Sequence, residues 1–400
     1  MDQEKKEILI LGAGNVGRGI VGDIFHQNGY RLLLYRRQEK ELQKMKQRGY
    51  YTVAITGKNR SLVHLIDHFE VVPECLLVKS LAETNLVACC VYEEAFPDIC
   101  RFLAQAIRAR MLSRKTNPLN LLLCTNRISA MAGFQKRLFD LLALIDPKKQ
   151  AAAYCHNYVG ICQVLVLGAS MPASDRILVQ DEFALEASEH ARLEIDRFAF
   201  KGEPLRLQGV TMVEQAEQKL CRKVYLGNMR HTMAAFMGSS MHLSSIAQCH
   251  SNSYIRGCIT AAFREAEQAL MQQYSFEEHE YRSWKKEIME KLDTPSRDSV
   301  LRVAHDPIQK LSREDRFVAP ALLCMRYHVL PYQIARGIAY GFDYKNEDDR
   351  ASLELSQYVH GYGIEAAVMK YCGLNPEQSE EKMLYDLILA QYYDKNRKRS

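Results

Sequence analysis

A glycine-rich turn near the start of the chain constrains the fold more than any other feature. Residues 7–11 are apolar and rich in Ile and Leu, which is typical of a buried parallel strand. The spacing Gly-x-Gly-x-x-Gly follows at once over residues 12–17, and the amphipathic stretch Arg18 to His26 predicts a helix. This strand-turn-helix setting predicts a dinucleotide-binding domain with a doubly wound parallel sheet. A purely structural glycine turn is the alternative.

Each glycine of this turn has a physical task. The first permits a tight turn, the second lets a pyrophosphate approach the backbone, and the third lets helix and strand pack closely. The N-terminus of the following helix would face the phosphates. The residues predicted to bind the dinucleotide here are Gly12, Gly14, Asn15, Val16 and Gly17.

Two arginines follow the second predicted strand, Tyr30–Tyr35. Enzymes that use NAD usually carry an acidic residue at this place, which binds the ribose hydroxyls. Arg36 and Arg37 instead suit the 2′-phosphate of NADP. A pair of surface arginines beside Glu39 and Glu41 is the alternative. The sequence therefore favours NADP and leaves NAD open.

Further apolar runs extend the predicted sheet, with a turn at Gly57–Asn59 between the first two of them. These runs are Tyr51–Ile55, Phe69–Val72, Asn85–Val91 and Leu119–Cys124. Ligands of such sheets lie at the carboxyl ends of the strands, so Asn126 is predicted to meet the nicotinamide ribose or the reacting oxygen. An ordinary asparagine turn is the alternative.

The second half of the sequence has a different pattern. Residues 151–166 are apolar and predict extended structure, and the turn cluster Lys201–Pro204 predicts a boundary between domains 1–202 and 203–400. Helical patterns dominate from Val213 onward. The predicted helices include Val213–Phe236, Ser253–Tyr274, Phe276–Leu292, Pro320–Tyr340 and Ala351–Tyr371.

A lysine, an asparagine and a histidine occur at Lys-x4-Asn-x2-His spacing in the first of these helices. They are Lys223, Asn228 and His231. On an α-helix each residue advances about 100°, so the three side chains would span about 140° of the helix surface. A base, an amide donor and an imidazole on one face could remove a proton from an alcohol and stabilise the resulting oxyanion. A polar helix face with a surface lysine is the alternative.

A second group of polar residues surrounds Pro307. Arg302, His305 and Lys310 are candidates for binding an anionic or polyhydroxylated ligand. A helix cap with surface ion pairs would explain the same charges equally well.

Composition excludes several classes of function. Four hundred residues with 47% hydrophobic and 25% charged side chains suit a soluble globular protein of two domains. The net charge of +5 is spread along the chain, so the sequence shows no basic patch typical of nucleic-acid binding. The basic cluster Lys395–Arg399 is interpreted as a solvated tail rather than a binding patch. No apolar run is long enough to span a membrane, and no signal peptide precedes the first strand.

The twelve cysteines are scattered without zinc-ligand or Cys-x-x-Cys spacing. Reduced thiols in the cytoplasm are therefore expected. The oligomeric state cannot be read from the sequence.

Taken together, these residues resemble the polyol-specific long-chain dehydrogenases, the mannitol dehydrogenase family, over nearly the whole chain. The segments that carry the resemblance share the order and spacing of the family's motifs. They are Leu11–Gly19, Asn117–Asn120 with Cys124–Asn126, the set of Lys223, Asn228 and His231, Lys310–Ser312 with Asp315 and Arg316, and Glu347–Asp349. This agreement is more specific than any single motif.

The resemblance implies an α/β fold: an N-terminal Rossmann-type dinucleotide-binding domain followed by a mainly α-helical C-terminal domain, with the active site between them and no catalytic metal. It implies that Lys223 is the general base, that Asn126 and Asn228 hold the reacting oxygen, and that His231 orients the substrate. Hydride would pass between a sugar alcohol, or its phosphate, and NADP or NAD. Mannitol 1-phosphate and fructose 6-phosphate are the favoured pair.

The chain departs from the family pattern at three places. Arg36 stands where the family has an acidic residue, and His305 stands where close relatives have arginine. Val166–Ala169 stands where the family has Val-Asp-Arg-Ile, for which Asp175–Ile177 could be a displaced version. These departures leave open a same-fold enzyme for a free polyol, a hexuronate or a 2-keto acid, and also a non-catalytic dinucleotide-binding sensor.

Overall fold

The chain divides into two compact units, Met1–Glu217 and Gln218–Ser400. The computed structural model describes residues 6–56, 61–290, 292–293 and 298–397. The sequence placed the division at residues 202 and 203. The first unit extends further because the strand Val210–Val213 pairs with Arg192–Asp196.

The first unit is built on a main sheet, which has eight strands in the described part of the chain. In spatial order they are Val210–Val213, Arg192–Asp196, Val159–Leu167, Leu119–Leu123, Leu86–Cys89, Glu7–Leu11, Arg31–Tyr35 and Phe69–Val71. Neighbouring strands run parallel except at the pairing of Val159–Leu167 with Arg192–Asp196. This confirms the predicted doubly wound parallel sheet. The carboxyl ends of its central parallel strands meet at one edge, which receives the glycine-rich turn and Asn126.

Both faces of the main sheet are covered, which explains the uninterrupted apolar runs. Leu9 and Leu11 pack into the core of one face, together with side chains of the helices Phe96–Leu112 and Ala130–Ile145. Ile8 and Ile10 pack into the core of the other face. A strand buried on both sides has no polar face, so its residues show no alternation.

A small sheet of four strands accompanies the main sheet. In spatial order its strands are Ser61–Ile66, Tyr51–Thr56, Leu185–Ser188 and Ser170–Pro172. Tyr51–Thr56 pairs antiparallel with Ser61–Ile66, whereas Phe69–Val71 belongs to the main sheet. The prediction that Tyr51–Ile55 and Phe69–Val72 flank one turn is therefore wrong about the partner strand. The predicted turn at Gly57–Asn59 lies outside the described residues.

The helix predicted over Arg18 to His26 is present as two successive segments, Gly17–Gly22 and Asp23–Gln27. The helical segments are Gly17–Gly22, Asp23–Gln27, Lys40–Arg48, Glu74–Glu83, Glu93–Ala95, Phe96–Leu112, Ala130–Ile145, Gln150–Tyr158, Asp175–Leu178 and Ala216–Arg222, the last of which crosses into the second unit. Extended structure was expected over residues 151–166, but its first half is the helix Gln150–Tyr158 and only Val159–Leu167 is a strand. Three successive alanines at 151–153 favour the helix.

The second unit is helical. Its segments are Lys223–Asn228, Met229–Ser240, Ile246–Ser251, Ser253–Gln273, Glu278–Glu290, Val300–Ala304, Pro307–Leu311, Val318–Arg326, Tyr332–Phe342, Arg350–Cys372 and Ser379–Arg397. The prediction of a single helix over 320–340 is wrong, because this stretch forms two helices, Val318–Arg326 and Tyr332–Phe342. Pro331 begins the second of these helices, and a proline ring is tolerated at a helix start but not inside.

Lys395, the first residue of the C-terminal basic cluster, is buried, so the interpretation of this residue as part of a solvated tail is wrong. The Lys395 ammonium lies 2.8 Å from a carboxylate oxygen of Asp343, and the side chain is only 8% exposed. It also lies about 5 Å from the ring centres of Tyr340 and Tyr392. Lys395 is buried because it lies on the inner face of the helix Ser379–Arg397. Residues 398 and 399 lie outside the described part.

Two further findings concern the chain as a whole. All twelve cysteines are free thiols, which agrees with the expected reduced state. Within the described ranges, no helix combines the length and apolarity that a membrane crossing requires.

Arg110 provides a test of the packing on one face of the main sheet. Its buried guanidinium donates to the carbonyl oxygens of Ala82, Thr84 and Asn117 at 2.6–3.0 Å. Arg110→Ala removes three charged hydrogen bonds and leaves the carbonyl oxygen of buried Thr84 without this donor, so we expect the free energy of unfolding to fall by about 3 kcal/mol. Urea unfolding followed by circular dichroism measures the change.

Arg108→Ala is the matched control, because Arg108 lies on the exposed side of the same helix. It should leave the urea midpoint within error of the parent protein. Equal midpoints for the two variants would show that the Arg110 contacts do not stabilise the unit.

Candidate active site

The first and third glycines of the predicted turn are required by the fold itself. Gly12 has a φ of +88°, and a Cβ atom there would lie 2.6 Å from the carbonyl oxygen of Cys90. A Cβ atom on Gly17 would lie 2.3 Å from the carbonyl oxygen of Gly12. The amides of Gly12 and Ala13 both donate to the carbonyl oxygen of Tyr35, which fixes the turn on the neighbouring strand.

The second glycine is different. No described atom beyond its chain neighbours lies within 4 Å of a Cβ atom built on Gly14, so the space above this residue is open. Asn15 is exposed and Val16 is half-buried beside it. An open cradle over the second glycine, bounded by two glycines that the fold needs, fits the pyrophosphate of a dinucleotide.

The two arginines after the second strand both have acidic partners. The Glu41 carboxylate forms two ion pairs. One oxygen lies 2.6 Å from a guanidinium nitrogen of Arg36, and the other lies 2.7 Å from a guanidinium nitrogen of buried Arg18. Arg37 is 83% exposed and lies 3.5 Å from Asp98. Ion pairs at this exposure contribute about 0–1 kcal/mol, so a phosphate could displace either carboxylate.

Asn126 lies where the sequence predicted it, beyond the carboxyl end of Leu119–Leu123, and it is exposed. Two contacts shape the loop that carries it. The amide of Arg127 donates to the hydroxyl of Thr125 at 3.2 Å, and the Arg127 guanidinium lies 3.2 Å from Glu93. Arg127, the residue after Asn126, therefore anchors the loop.

The helix that carries Lys223 has an unexpected form. Residues Lys223–Asn228 are a π-helical segment, in which the amide of Met229 donates to the carbonyl oxygen of Val224, five residues earlier. An i→i+5 hydrogen bond closes one turn of such a helix, so residues five apart follow one another along the same side. Lys223 and Asn228 are five apart. The estimate of about 140° between them, which assumes an α-helix, is therefore wrong, and the two side chains lie closer in direction than the sequence indicated.

The residue before Lys223 anchors this segment. Buried Arg222 donates to both carboxylate oxygens of Glu280, at 2.9 and 2.8 Å, and its guanidinium lies 4.5 Å from the ring centre of Trp284. Burial raises the pKa of Glu280, but the bonds from Arg222 and Lys219 outweigh burial and lower this pKa below its usual value. Glu280 is thus ionised at neutral pH and holds the start of the π-helical segment.

His231 belongs to a three-residue cluster. Its Nε2 atom lies 3.0 Å from Oδ2 of Asp298, and the other oxygen of that carboxylate accepts a bond from Arg302. Burial raises the pKa of Asp298, but the bond from His231 and the charge of Arg302 outweigh burial and lower this pKa. The structure therefore connects two of the predicted site residues, His231 and Arg302, through one carboxylate.

The other two predicted substrate-binding residues make different contacts. Lys310 is buried and donates to the backbone carbonyl oxygens of His305 and Asp306. Burial and the charge of Arg316 lower the pKa of Lys310 to about 8. His305 is exposed, with its Nε2 atom 4.0 Å from buried Asp349. Lys310 therefore supports the turn that carries His305.

Two residues near the site were missed by the sequence analysis. Asp298 lies four residues before Arg302, a spacing that permits an ion pair on a helix and could have been noticed. His250 gave no signal. Its ring is buried 6.4 Å from the ring of His231, and neither of its nitrogens has a hydrogen-bond partner among the described residues. Burial, together with the charges of Arg230 and His231, lowers the pKa of His250 to about 4, so this ring is neutral near pH 7.

The described residues contain no group of three or more His, Cys, Asp or Glu side chains that could hold a metal ion.

Comparison with known families follows the division of the chain. Residues 6–209 match the family described as Mannitol dehydrogenase Rossmann domain, and residues 218–361 match Mannitol dehydrogenase C-terminal domain. Together these matches span most of the chain. The chain belongs to the mannitol dehydrogenase family. It is therefore an oxidoreductase of that family, and the match to the family's Rossmann domain supports a nicotinamide cofactor.

Two relatives within the mannitol dehydrogenase family are both named mannitol-1-phosphate 5-dehydrogenase. The protein of Buchnera aphidicola subsp. Acyrthosiphon pisum (strain 5A) is 26% identical over 385 residues, which cover 95% of this chain and 97% of the relative. The protein of Streptococcus pneumoniae serotype 4 (strain ATCC BAA-334 / TIGR4) is 24% identical over 384 residues, which cover 95% and 99%. The likeness spans both units.

Two solved structures share the fold of this mannitol dehydrogenase family member. Mannitol 2-dehydrogenase of Pseudomonas fluorescens, in ternary complex with NAD and D-mannitol, gives a TM-score of 0.77 at 12% identity, covering 98% of this chain and 92% of that one. A D-sorbitol dehydrogenase in substrate-free form gives 0.74 at 14% identity, covering 96% and 92%. The predicted order, a Rossmann domain followed by a mainly helical domain, is confirmed.

Proposed function

We propose that this protein interconverts a sugar alcohol phosphate and the corresponding keto sugar phosphate, with mannitol 1-phosphate and fructose 6-phosphate as the pair. The relatives named mannitol-1-phosphate 5-dehydrogenase, which align over 95% of the chain, support this substrate class. NADP is the proposed cofactor because Arg36 and Arg37 follow the second strand.

The π-helical form of Lys223–Asn228 supports the catalytic proposal, because residues five apart in such a segment are closer in direction than on an α-helix. Lys223 takes the proton of the substrate hydroxyl during oxidation. Asn228 and Asn126 donate from their amide groups to the oxygen as negative charge develops on it. His231 orients the substrate by binding a neighbouring hydroxyl. When bound, the nicotinamide accepts the hydride in oxidation and donates it in reduction.

The test of this proposal is the oxidation of NADPH and of NADH by the purified protein, with fructose 6-phosphate and fructose in parallel. Turnover with fructose 6-phosphate is the expected result. Binding of the dinucleotide without turnover of either sugar would contradict it and indicate a different substrate or a non-catalytic sensor.

A free polyol is the second candidate substrate, and the geometry of the cations favours it. Two of the three candidate ligand-binding residues already have partners, because Arg302 is paired with Asp298 and Lys310 donates to two backbone carbonyl oxygens. Turnover with fructose but not with fructose 6-phosphate would select this candidate.

The cofactor proposal gives a further prediction. Arg36→Ala removes a guanidinium proposed to bind the 2′-phosphate, and hydrogen bonds to charged groups are worth about 1.5–3 kcal/mol. We expect kcat/KM for NADPH to fall by about 10- to 100-fold and kcat/KM for NADH to change little. Steady-state rates with each cofactor at fixed sugar concentration measure the ratio.

Arg31→Ala is the control, because Arg31 lies at the opposite end of the same strand and pairs with Glu7 and Glu70. It should affect both cofactors equally or not at all. An equal loss for NADPH and NADH in Arg36→Ala would instead mean that Arg36 acts through Glu41 on the packing of Arg18.

A further inference from the structure

We propose that Asp298 is a positioning residue, whose carboxylate fixes the orientation and tautomer of His231 and holds Arg302 beside it. This inference rests on the proposed function, in which His231 orients the substrate. Asp298 itself is not assigned a contact with the substrate. It acts through the two side chains that it binds.

The carboxylate of Asp298 is well fixed for this task. One oxygen lies 3.0 Å from Nε2 of His231 and the other accepts a bond from Arg302. Its backbone carbonyl oxygen accepts from the amide of Ile246 at 2.9 Å, and the side chain is only 18% exposed. Both ends of the residue are therefore restrained, which keeps the carboxylate in a constant position.

An ionised carboxylate can only accept hydrogen bonds, so the Nε2 atom of His231 must carry a proton. In the neutral ring this makes Nδ1 the acceptor. The ring of His250 lies beside the same imidazole, 6.4 Å away between ring centres at an interplanar angle of 61°. Asp298 thus determines which ring nitrogen presents a lone pair to a substrate hydroxyl next to the one that gives its proton to Lys223.

Loss of this carboxylate should affect turnover more than dinucleotide binding. Without Asp298 the imidazole can adopt either tautomer and rotate. Removal of the carboxylates that orient metal-binding histidines typically lowers activity by about 10- to 100-fold, and we take this as the scale for Asp298. We therefore expect Asp298→Asn to lower kcat by about that factor, with an unchanged dissociation constant for NADPH.

A double-mutant cycle separates positioning from structural support. The four proteins are the parent, Asp298→Asn, His231→Ala and the double variant, assayed for kcat and KM with fructose 6-phosphate and with fructose. If Asp298 acts through His231, the Asn substitution costs about 10- to 100-fold in the parent and less than about 3-fold in the His231→Ala background. Asp298→Glu should restore part of kcat, since it keeps the carboxylate.

Asp293→Asn is the matched control. Asp293 is an exposed aspartate of the same unit, paired with Arg256 at 2.7 Å. It should leave kcat and KM unchanged. An equal loss from Asp298→Asn in both backgrounds, or full turnover in Asp298→Asn, would overturn the positioning role.

A second measurement needs no substrate. The ¹⁵N shifts of His231, assigned by comparison with His231→Ala, should show Nε2 protonated in the parent and a changed or mixed tautomer in Asp298→Asn. An identical tautomer in both proteins would also overturn the proposal. Undiminished turnover in His231→Ala would instead contradict the proposed function of His231, which distinguishes that failure from a failure of the Asp298 proposal.

Discussion

Lys223→Ala is expected to reduce kcat for polyol oxidation by about 10²- to 10⁴-fold, the usual contribution of a positioned general base. Its dinucleotide affinity and urea midpoint should match those of the parent. The proposed proton acceptor is lost, whereas the anchor of the segment, Arg222 bound to Glu280, is retained. Rapid-mixing or steady-state kinetics at saturating cofactor measures the effect.

Two companion variants make the Lys223 result specific. Lys219→Ala removes a lysine one helical turn earlier, whose ammonium lies 3.0 Å from Glu280, and should retain most of the activity. Lys223→Arg keeps the positive charge but cannot release a proton near neutral pH, so it should be nearly as inactive as Lys223→Ala. Full turnover in folded Lys223→Ala, or high activity in Lys223→Arg, would contradict the role of Lys223 as base.

Gly14→Val should weaken the binding of NADPH and NADH by about 100-fold, which corresponds to about 2.7 kcal/mol, without lowering the stability of the fold. Nothing described lies within 4 Å of a Cβ atom at this glycine, so the protein itself can accept the side chain. The loss would come from the pyrophosphate, which needs the space that the valine occupies. Fluorescence titration with each dinucleotide and urea unfolding measure the two quantities separately.

Other glycines supply the controls. Gly133→Ala places a methyl group in equally open space on the helix Ala130–Ile145, and should stabilise the protein by about 0.5–1 kcal/mol with unchanged binding. Gly12→Ala should destabilise the fold, because its Cβ atom would meet the carbonyl oxygen of Cys90. Parent-like affinity in Gly14→Val would show that the dinucleotide does not bind over this turn.

Local elements of this fold are visible in the sequence, whereas pairings between distant segments are not. The strand Glu7–Leu11 was predicted to the residue and the helix Ser253–Gln273 to within one residue, because an apolar run or a helical period is visible within one segment. The partner of Tyr51–Thr56 was not predicted correctly. Its true neighbour, Ser61–Ile66, exposes three of its apolar side chains, so its pattern did not mark a strand.

The candidate site shows the same division. The sequence identified Lys223, Asn228, His231 and Arg302 because their types and spacing suggest chemistry. It could not show that Asp298 joins His231 to Arg302, since that contact spans 67 residues of sequence. It could not show the wide turn at Lys223 either, because a change from i→i+4 to i→i+5 hydrogen bonding depends on packing around the helix rather than on residue propensity.

That wide turn limits how this constellation could be transplanted into a designed scaffold. Copied at the same spacing onto an ordinary α-helix, the lysine and the asparagine would diverge by about 140° around the axis. A designer would have to reproduce the backbone of Lys223–Asn228 together with the anchor at Arg222, or else delete one intervening residue so that the two side chains return to i and i+4. In this protein the motif is a property of a particular helix geometry, and grafting the three residue types alone would not recreate it.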